Sequence, residues 1–456
     1  MNEAHLPSEQ ARHRRAWLWY DWANHGYITP ALTVLVQPYF TSVAWKAACP
    51  DLAAGAVCAA RLHVLGMPIS PGSLTNYSLT ISTIITAIVV ILVGAVADRF
   101  PAPAWLLGAF AWLGALAASL MFFVAGTNWM LGVALLIIAN VSLGASLVVY
   151  NGLLPRIYPP DDRDRMSSRG WSRGYLGGGL LLAAVVTLLF VAPRIGLDTG
   201  VASRIGLLAA GLWWGLFAFV PVLGLRTLRG AAAPAGRQST LSVRGTIGQL
   251  VSTFRELRHF PQTLLFLLAY LFFNDGIQTV VSEASLYGSA ELKFSLSQVI
   301  MVFLLVQFVA FGGALLLGRL ALRYGAWRVI LTSLGLWGVV VIVAFFLPAR
   351  VLWMFAALAV LIGIVLGGCQ ALSRSLYSQL IPRGRESEFF SLYQIMERGT
   401  SWTGTLVFGL VFQFAGSYRW SIIALIVYFG IGGFLLSRVR VREGILAAGN
   451  ELPAVV

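Results

Sequence analysis

The chain has 456 residues, of which 58% are hydrophobic and 11% charged, against about 25% charged in soluble domains. With a mean hydropathy of +0.80, this is more apolar sequence than a soluble core absorbs, so a polytopic membrane protein is predicted. The formal charge of +14 sits in short loops between apolar runs, which speaks for membrane topology and against nucleic acid as a partner.

Enzyme signatures are missing from the sequence. His5, His13, His25, His63 and His259 are scattered, and no HExxH pair, Walker loop or nucleophile elbow occurs. Three cysteines exclude a disulfide framework and a thiolate cluster, so no metal and no cofactor is expected. Arg12, Arg14 and Arg15 precede a long apolar segment without a short signal core, which predicts a retained first span.

Twelve apolar runs long enough to span a bilayer (about 20 residues each) begin near Trp17, Leu74, Ala104, Trp129, Trp171, Arg204, Gln262, Leu296, Trp327, Val351, Phe389 and Arg419. An even number leaves both termini on one side. Of the 32 Lys and Arg residues, 24 fall at the termini and in the even-numbered connections. Lys46, Arg61, Arg194, Arg204, Lys293, Arg350 and Arg419 fall on the other side, and Arg398 lies within a span. This bias predicts a plasma membrane protein with both termini cytoplasmic.

The first span opens WLWYDWANHGYITP, with Asp21 about one turn inside and Asn24 and His25 on its face. Asp21 either belongs to a polar site or pairs with a loop arginine or caps a neighbouring helix. His25 either titrates in a wet cavity or hydrogen-bonds as a neutral ring. The connection after this span faces outside and holds Cys49 and Cys58, for which a disulfide is predicted. The second span ends GAVADRF, Gly94 to Phe100. The fourth carries Asn140, then Ser142, Ser146 and Tyr150 at four-residue spacing, with Asn151 following. That stripe reads as a wet face or as close helix packing. PRIYPPDDRDRMSSRGW (Pro155 to Trp171) reads as a charged connector. Residues 226–261 suit a flexible joint, within which Phe254, Arg255 and Arg258 could lie on the inner leaflet.

The seventh span contains YLFFNDGIQTVVSEAS, with Asn274, Asp275, Gln278 and Glu283 inside an apolar run. A carboxylate at mid-membrane costs ~2.5–3.5 kcal/mol on insertion scales, so this face needs a protein partner or a water-filled cavity. It is either a transport site or a set of helix–helix hydrogen bonds. In the tenth span, Gly363, Gly367 and Gly368 with Gln370, Ser373 and Arg374 suggest a bendable helix ending in a polar gate. The eleventh holds Glu397 and Arg398; Arg398 either binds a substrate carboxylate or neutralises Asp275, Glu283 or Glu397.

The second half repeats the first. Gly94-to-Arg99 matches Gly318-to-Arg323, an offset of 224, and Pro160-to-Trp171 matches Pro382-to-Tyr393, an offset of 222. Such a repeat is common in transporters, and it makes the spans bearing Asp21 and Asp275 equivalents expected to flank one interface. The predicted fold is all-α, with twelve transmembrane helices in two pseudo-symmetric six-helix bundles. The bundles are residues 1–226 and 262–456, joined by a linker at 227–261.

YDWANHG (Tyr20 to Gly26), YNGLLPRIYP (Tyr150 to Pro159), GWSRGYLGGGLLL (Gly170 to Leu182), FFNDGIQT (Phe272 to Thr279), GGCQALSRSLYSQLIPRGRESEFFSLY (Gly367 to Tyr393) and ERGTSWTG (Glu397 to Gly404) carry a resemblance. The chain resembles the vacuole-effluxer family of the major facilitator superfamily over essentially its whole length. The resemblance implies alternating access and a central cavity lined by spans 1, 4, 7 and 10, and its fungal members are amino-acid effluxers. Asp98, Arg99 and Arg323 match the superfamily's gating loops, whereas Leu322 stands at the acidic position of the second copy. His25 stands where the family pattern has a small residue.

The expected function is secondary transport of a small solute, an amino acid or similar zwitterion, with protons as coupling ion. Asp21, Asn24, His25, Asn140, Ser146, Tyr150, Asn274, Gln278, Gln370 and Arg398 are the candidate substrate contacts. Asp275, Glu283 and Glu397 are the candidate proton carriers. The expected partners are a small-molecule substrate, the lipid bilayer and protons, and the expected state is a monomer. Export of hydrophobic or cationic compounds, or a non-transporting sensor or scaffold, are the alternatives.

Overall fold

The computed structural model describes residues 8–50, 60–64, 67–229, 257–398 and 402–456. Lipid offers no partners for backbone N–H and C=O groups, so apolar runs of this length satisfy them internally as helices. The chain opens with α1 (Ser8–Trp17) and α2 (Trp19–Tyr27), passes through a π-helical stretch (Ile28–Leu35) and continues as α3 (Val36–Ala48). Pro30, which has no N–H to give, lies inside the π stretch, where the hydrogen-bond ladder is widened.

The first half continues with α4 (Leu74–Ala97), α5 (Pro103–Leu120), α6 (Trp129–Gly152), the single turn α7 (Leu154–Ile157), α8 (Pro160–Val191) and α9 (Thr199–Gly224). The second half comprises α10 (Pro261–Leu286), α11 (Leu296–Tyr324), α12 (Ala326–Phe346), α13 (Leu352–Gln379), α14 (Glu386–Arg398), α15 (Trp402–Ala415), α16 (Tyr418–Ala424) and α17 (Ile426–Ser437). A short α18 (Val441–Ala447) precedes the C-terminus. Among the described residues, ten helical stretches are long and apolar enough to cross a membrane. The expected first and eleventh spans are the segmented ones: one carries the π stretch, and the other is α14 and α15 on either side of residues 399–401.

The outer connection contains a small hairpin, β1 (Leu62–Val64) paired antiparallel with β2 (Met67–Ile69). Cys49 is disulfide-bonded and Cys369 is a buried free thiol. Cys58 lies outside the described residues, as do Phe254 and Arg255 of the predicted joint; Arg258 is exposed.

Two buried apolar clusters organise the molecule. One runs from Ala16 to Leu225, the other from Leu257 to Ile445. Residues cross the junction both ways: Tyr175 of α8 joins the second cluster with Trp171 packed on it, and Ile395 of α14 packs on the first. The halves meet where α8 lies on α11 and α13, and where α14 lies on α4 and α6.

The sequence repeat marks these contacts. A Cβ at Gly94 would come within 2.7 Å of the Ser387 carbonyl, and one at Gly318 within 2.5 Å of the Ser168 side chain. Small residues there let α4 approach α14 and α11 approach α8. A second pair of glycines sets the register of the inner helices: Gly26 lies against Trp213 of α9, and Gly276 against Tyr428 and Phe429 of α17. Aligned on these glycines, Asn24 corresponds to Asn274 and His25 to Asp275. Asp21 therefore sits one turn closer to the end of the molecule that carries the termini.

Candidate functional site

At that end a buried cluster joins the two halves. The Arg374 guanidinium of α13 faces the Asp21 carboxylate of α2, with Nη1–Oδ1 at 3.2 Å and Nη2–Oδ2 at 2.9 Å. Its Nε donates to Ser167 Oγ at 2.9 Å, Nη2 also to the Ser167 carbonyl at 3.1 Å, and Nη1 to Asn151 Oδ1 at 3.4 Å. All the N–H groups that a guanidinium owns thus have acceptors, the condition under which a buried charge is tolerated. The Tyr150 hydroxyl adds a 2.9 Å bond to Asp21 Oδ2. The guanidinium also lies 5.1, 5.4 and 5.6 Å from the ring centroids of Trp17, Tyr150 and Trp171, so aromatic faces replace water around it. Asp21 and Arg374 are both 2% exposed, so opening this seam must rehydrate or re-pair both charges.

His25 stands one turn beyond Asp21. Its Nδ1 lies 2.9 Å from the Asp21 carbonyl and 2.8 Å from Asn24 Oδ1. Both are acceptors, which assigns the proton to Nδ1. The ring packs edge-on against Trp171 and tilted against Tyr175, and Gly174 leaves the space it occupies. Room for an imidazole at position 25 thus comes from a glycine on the facing helix.

A second polar cluster lies within the second half. Gln370 Nε2 donates to Asn274 Oδ1 at 2.8 Å, and Asn274 Nδ2 donates to the Glu397 carbonyl at 3.1 Å. The Gln394 amide donates to Glu397 Oε2 at 2.6 Å, and the Tyr270 hydroxyl reaches Gln370 at 3.4 Å. Asp275 turns away from this cluster toward α15. Its Oδ2 accepts from the Gly404 N–H at 2.9 Å and from the Thr403 hydroxyl, while Oδ1 is buried with no hydrogen-bond partner among the described residues. The two acids therefore do not share one interface. The glycine register places Asp275 opposite α15, where it holds the first turn of that helix.

Around this ion pair, further hydrogen bonds cross between the halves at the same end. Asp98, just past α4, accepts from the N–H groups of Ser387 (2.8 Å) and Glu388 (3.0 Å), capping α14 from the opposite half. Burial pushes its carboxyl up to about 7 despite these two donors. Arg163 donates to the Ser378 carbonyl at 3.0 Å, Ser375 donates to Asp164, and the Ser167 hydroxyl donates to the Ala371 carbonyl at 2.6 Å.

The remaining sequence candidates are scattered. Asn140 bonds Tyr27 and Ser82 within the first half, and Ser146 bonds its own helix at the Leu143 carbonyl. Gln278, Glu283 and Arg398 are half-buried, and so is Arg99. Arg323 is exposed and lies over Tyr324. Sequence reasoning placed Arg374 at a polar gate but missed its partner, since 353 residues separate it from Asp21. It also missed Asn151, Ser167 and the aromatic rings as their surroundings. The adjacency of YN and of SSRGW to the repeated segment was the available signal.

Two matched helical halves joined at one end by a buried ion pair fit the architecture of a transporter of the major facilitator type. Comparison with known proteins narrows the class. Residues 9–163 and 159–449 match the family described as vacuole effluxer Atg22 like, and the chain belongs to that family. It is 27% identical over 446 residues to the MFS-type transporter YxiO of Bacillus subtilis, covering 97% of this chain and 98% of the relative. It is 26% identical over 474 residues to autophagy-related protein 22 of Pyricularia oryzae, covering 87% of this chain and 69% of that one. In fold it is similar to the human organic anion transporter MFSD10, with a TM-score of 0.66 at 14% identity over 94% of this chain and 100% of the other.

Proposed function

We propose that this transporter moves an amino acid or similar zwitterion across the cell membrane by rocking residues 1–226 against 262–456, with protons as the coupling ion. The termini-bearing end is taken as cytoplasmic, on the positive-inside bias of the loops. The observation that carries this reading is the Asp21–Arg374 pair, fully buried between the halves. Such a pair holds one end shut only while its geometry is intact, so it suits a gate that alternates. Above it lie groups of both signs and amides: His25, Asn24, Asn274, Gln370, Glu397 and Arg398, a set matched to an ammonium and a carboxylate on one small molecule. Asp275, with one carboxylate oxygen left without a partner among the described residues, is the proton carrier in this scheme.

Counterflow of a panel of amino acids in proteoliposomes, with and without an imposed pH difference, tests both parts. Saturable exchange of a zwitterion that the pH gradient drives uphill is the expected result. Asp275→Asn should retain exchange and lose gradient-driven accumulation. Competition by lipophilic cations and not by amino acids would transfer the site to export of hydrophobic or cationic compounds, and an absence of any flux would support a sensor.

A further inference from the structure

The end of α13, whose Arg374 closes the seam, has carbonyls that its own helix cannot satisfy. Three separate parts of the chain supply donors to consecutive residues there. Arg163 of the first half takes Ser378, and the Thr263 hydroxyl at the start of α10 takes Leu380 at 2.6 Å. The Asn450 amide takes Gln379 and Ile381, at 2.8 and 2.7 Å. Asn450 is buried, and its oxygen accepts from Arg383 Nε at 3.3 Å. What aims it there is a sharp turn after α18: Gly449 has φ +71, a conformation that favours glycine, and the Asn450 N–H closes back on the Ile445 carbonyl. Ile445 is itself fully buried, and Gly444 lies against Leu380 and Gln262, so α18 is seated on the second half.

Beyond Asn450 the chain runs toward the first half. Glu451 pairs with Arg383 at 3.0 Å, and the Ala454 N–H donates to Asp161 Oδ1 at 2.7 Å, at the start of α8. Val456 ends against Gly325, at the turn between α11 and α12. Residues 449–456 thus grip the end of α13 and bridge the two halves on the outside of the closed seam. We propose that residues 449–456 form a latch that positions α13 and holds this end shut, so that each opening releases the tail from Asp161. The inference rests on the alternating-gate reading above. Among the described residues, its hydrogen bond to the first half is the exposed one from Ala454 to Asp161, open to water and able to break on each cycle.

Cys369 provides the test. It is a free thiol, fully buried, on α13 just over one turn from Arg374, so a maleimide reaches it only after the packing around it opens. The rate of its alkylation by N-ethylmaleimide is measured in the full-length protein in proteoliposomes, with Cys369→Ser as the blank. Arg374→Ala, which removes the lock, should raise the rate. Asp161→Ala, which loses one hydrogen bond to a carboxylate, and Asn450→Ala, which loses two donated bonds and one accepted, should each raise it by at least about threefold. Asp161 is on the surface, so its variant leaves the folded halves intact. If Arg374→Ala accelerates labelling while both tail variants label at the parental rate, the latch is wrong and the gate stands. If Arg374→Ala has no effect, the gate reading fails and the latch falls with it.

Discussion

The two halves are copies, and the places where the copies differ build the buried seam between them. At an offset of 222 residues, Arg374 corresponds to Gly152 and Gly384 to Asp162; at 224, Leu322 corresponds to Asp98. In the first half Pro160 starts α8 directly, and Asp162 sits in its first turn bound to Arg14 and Arg165. In the second half Gly384, with φ +81, turns the chain, and α14 starts only at Glu386. The N–H groups of Ser387 and Glu388 are therefore unspent, and Asp98 takes them. Their equivalents at 165 and 166 are already inside α8, so an acid at position 322 would have nothing to cap. A helix start displaced by one turn thus decides which copy needs the acid. Likewise Gly152 leaves room for Ser387, whereas its copy supplies the one arginine that crosses to Asp21.

Breaking these asymmetries should have graded effects. Arg374→Ala leaves Asp21 buried without its partner, at a cost of about 3–5 kcal/mol to the closed state. Transport should fall to background, with thermal stability reduced in the same measurement series. Asp98→Ala removes the cap on α14 and should weaken closure by roughly 1–2 kcal/mol, read as faster labelling of Cys369.

The same carboxyl should make closure pH-dependent. Asp98 is raised to about 7 when buried and returns toward its ordinary value when the seam opens into water. Its contribution to the closed state is then fully present below that ordinary value and lost as the pH on this side rises through about 7. Opening should accelerate by at most about tenfold per pH unit in that window, and Asp98→Asn should flatten the profile.

Gly384→Ala puts a side chain at positive φ and should cost about 1 kcal/mol, measured as a small fall in unfolding temperature. Leu322→Asp, which restores the acid without a free helix end to receive it, should change stability by less than about 0.5 kcal/mol. A large gain from Leu322→Asp would show that the displaced helix start is not the cause of the asymmetry.

Much of this was determined by local sequence. Long apolar runs must be helical in lipid, and the repeat at 94/318 and 160/382 follows from spacing alone. Asp21, Asn274, Gln370 and the polar end of the tenth span were visible as polar groups where apolar ones are the rule. What only the tertiary structure decided is which of them meet. The pairing of Asp21 with Arg374 depends on how α2 and α13 are set in depth, and that depth is fixed by glycines packing against Trp213 and Phe429, contacts that no periodicity announces. Asp275 shows the same limit from the other side. Its chemistry matches that of Asp21, but a register one turn different sends it to the first turn of α15, because packing of the helix backbone, and not the charge it carries, chooses the neighbour.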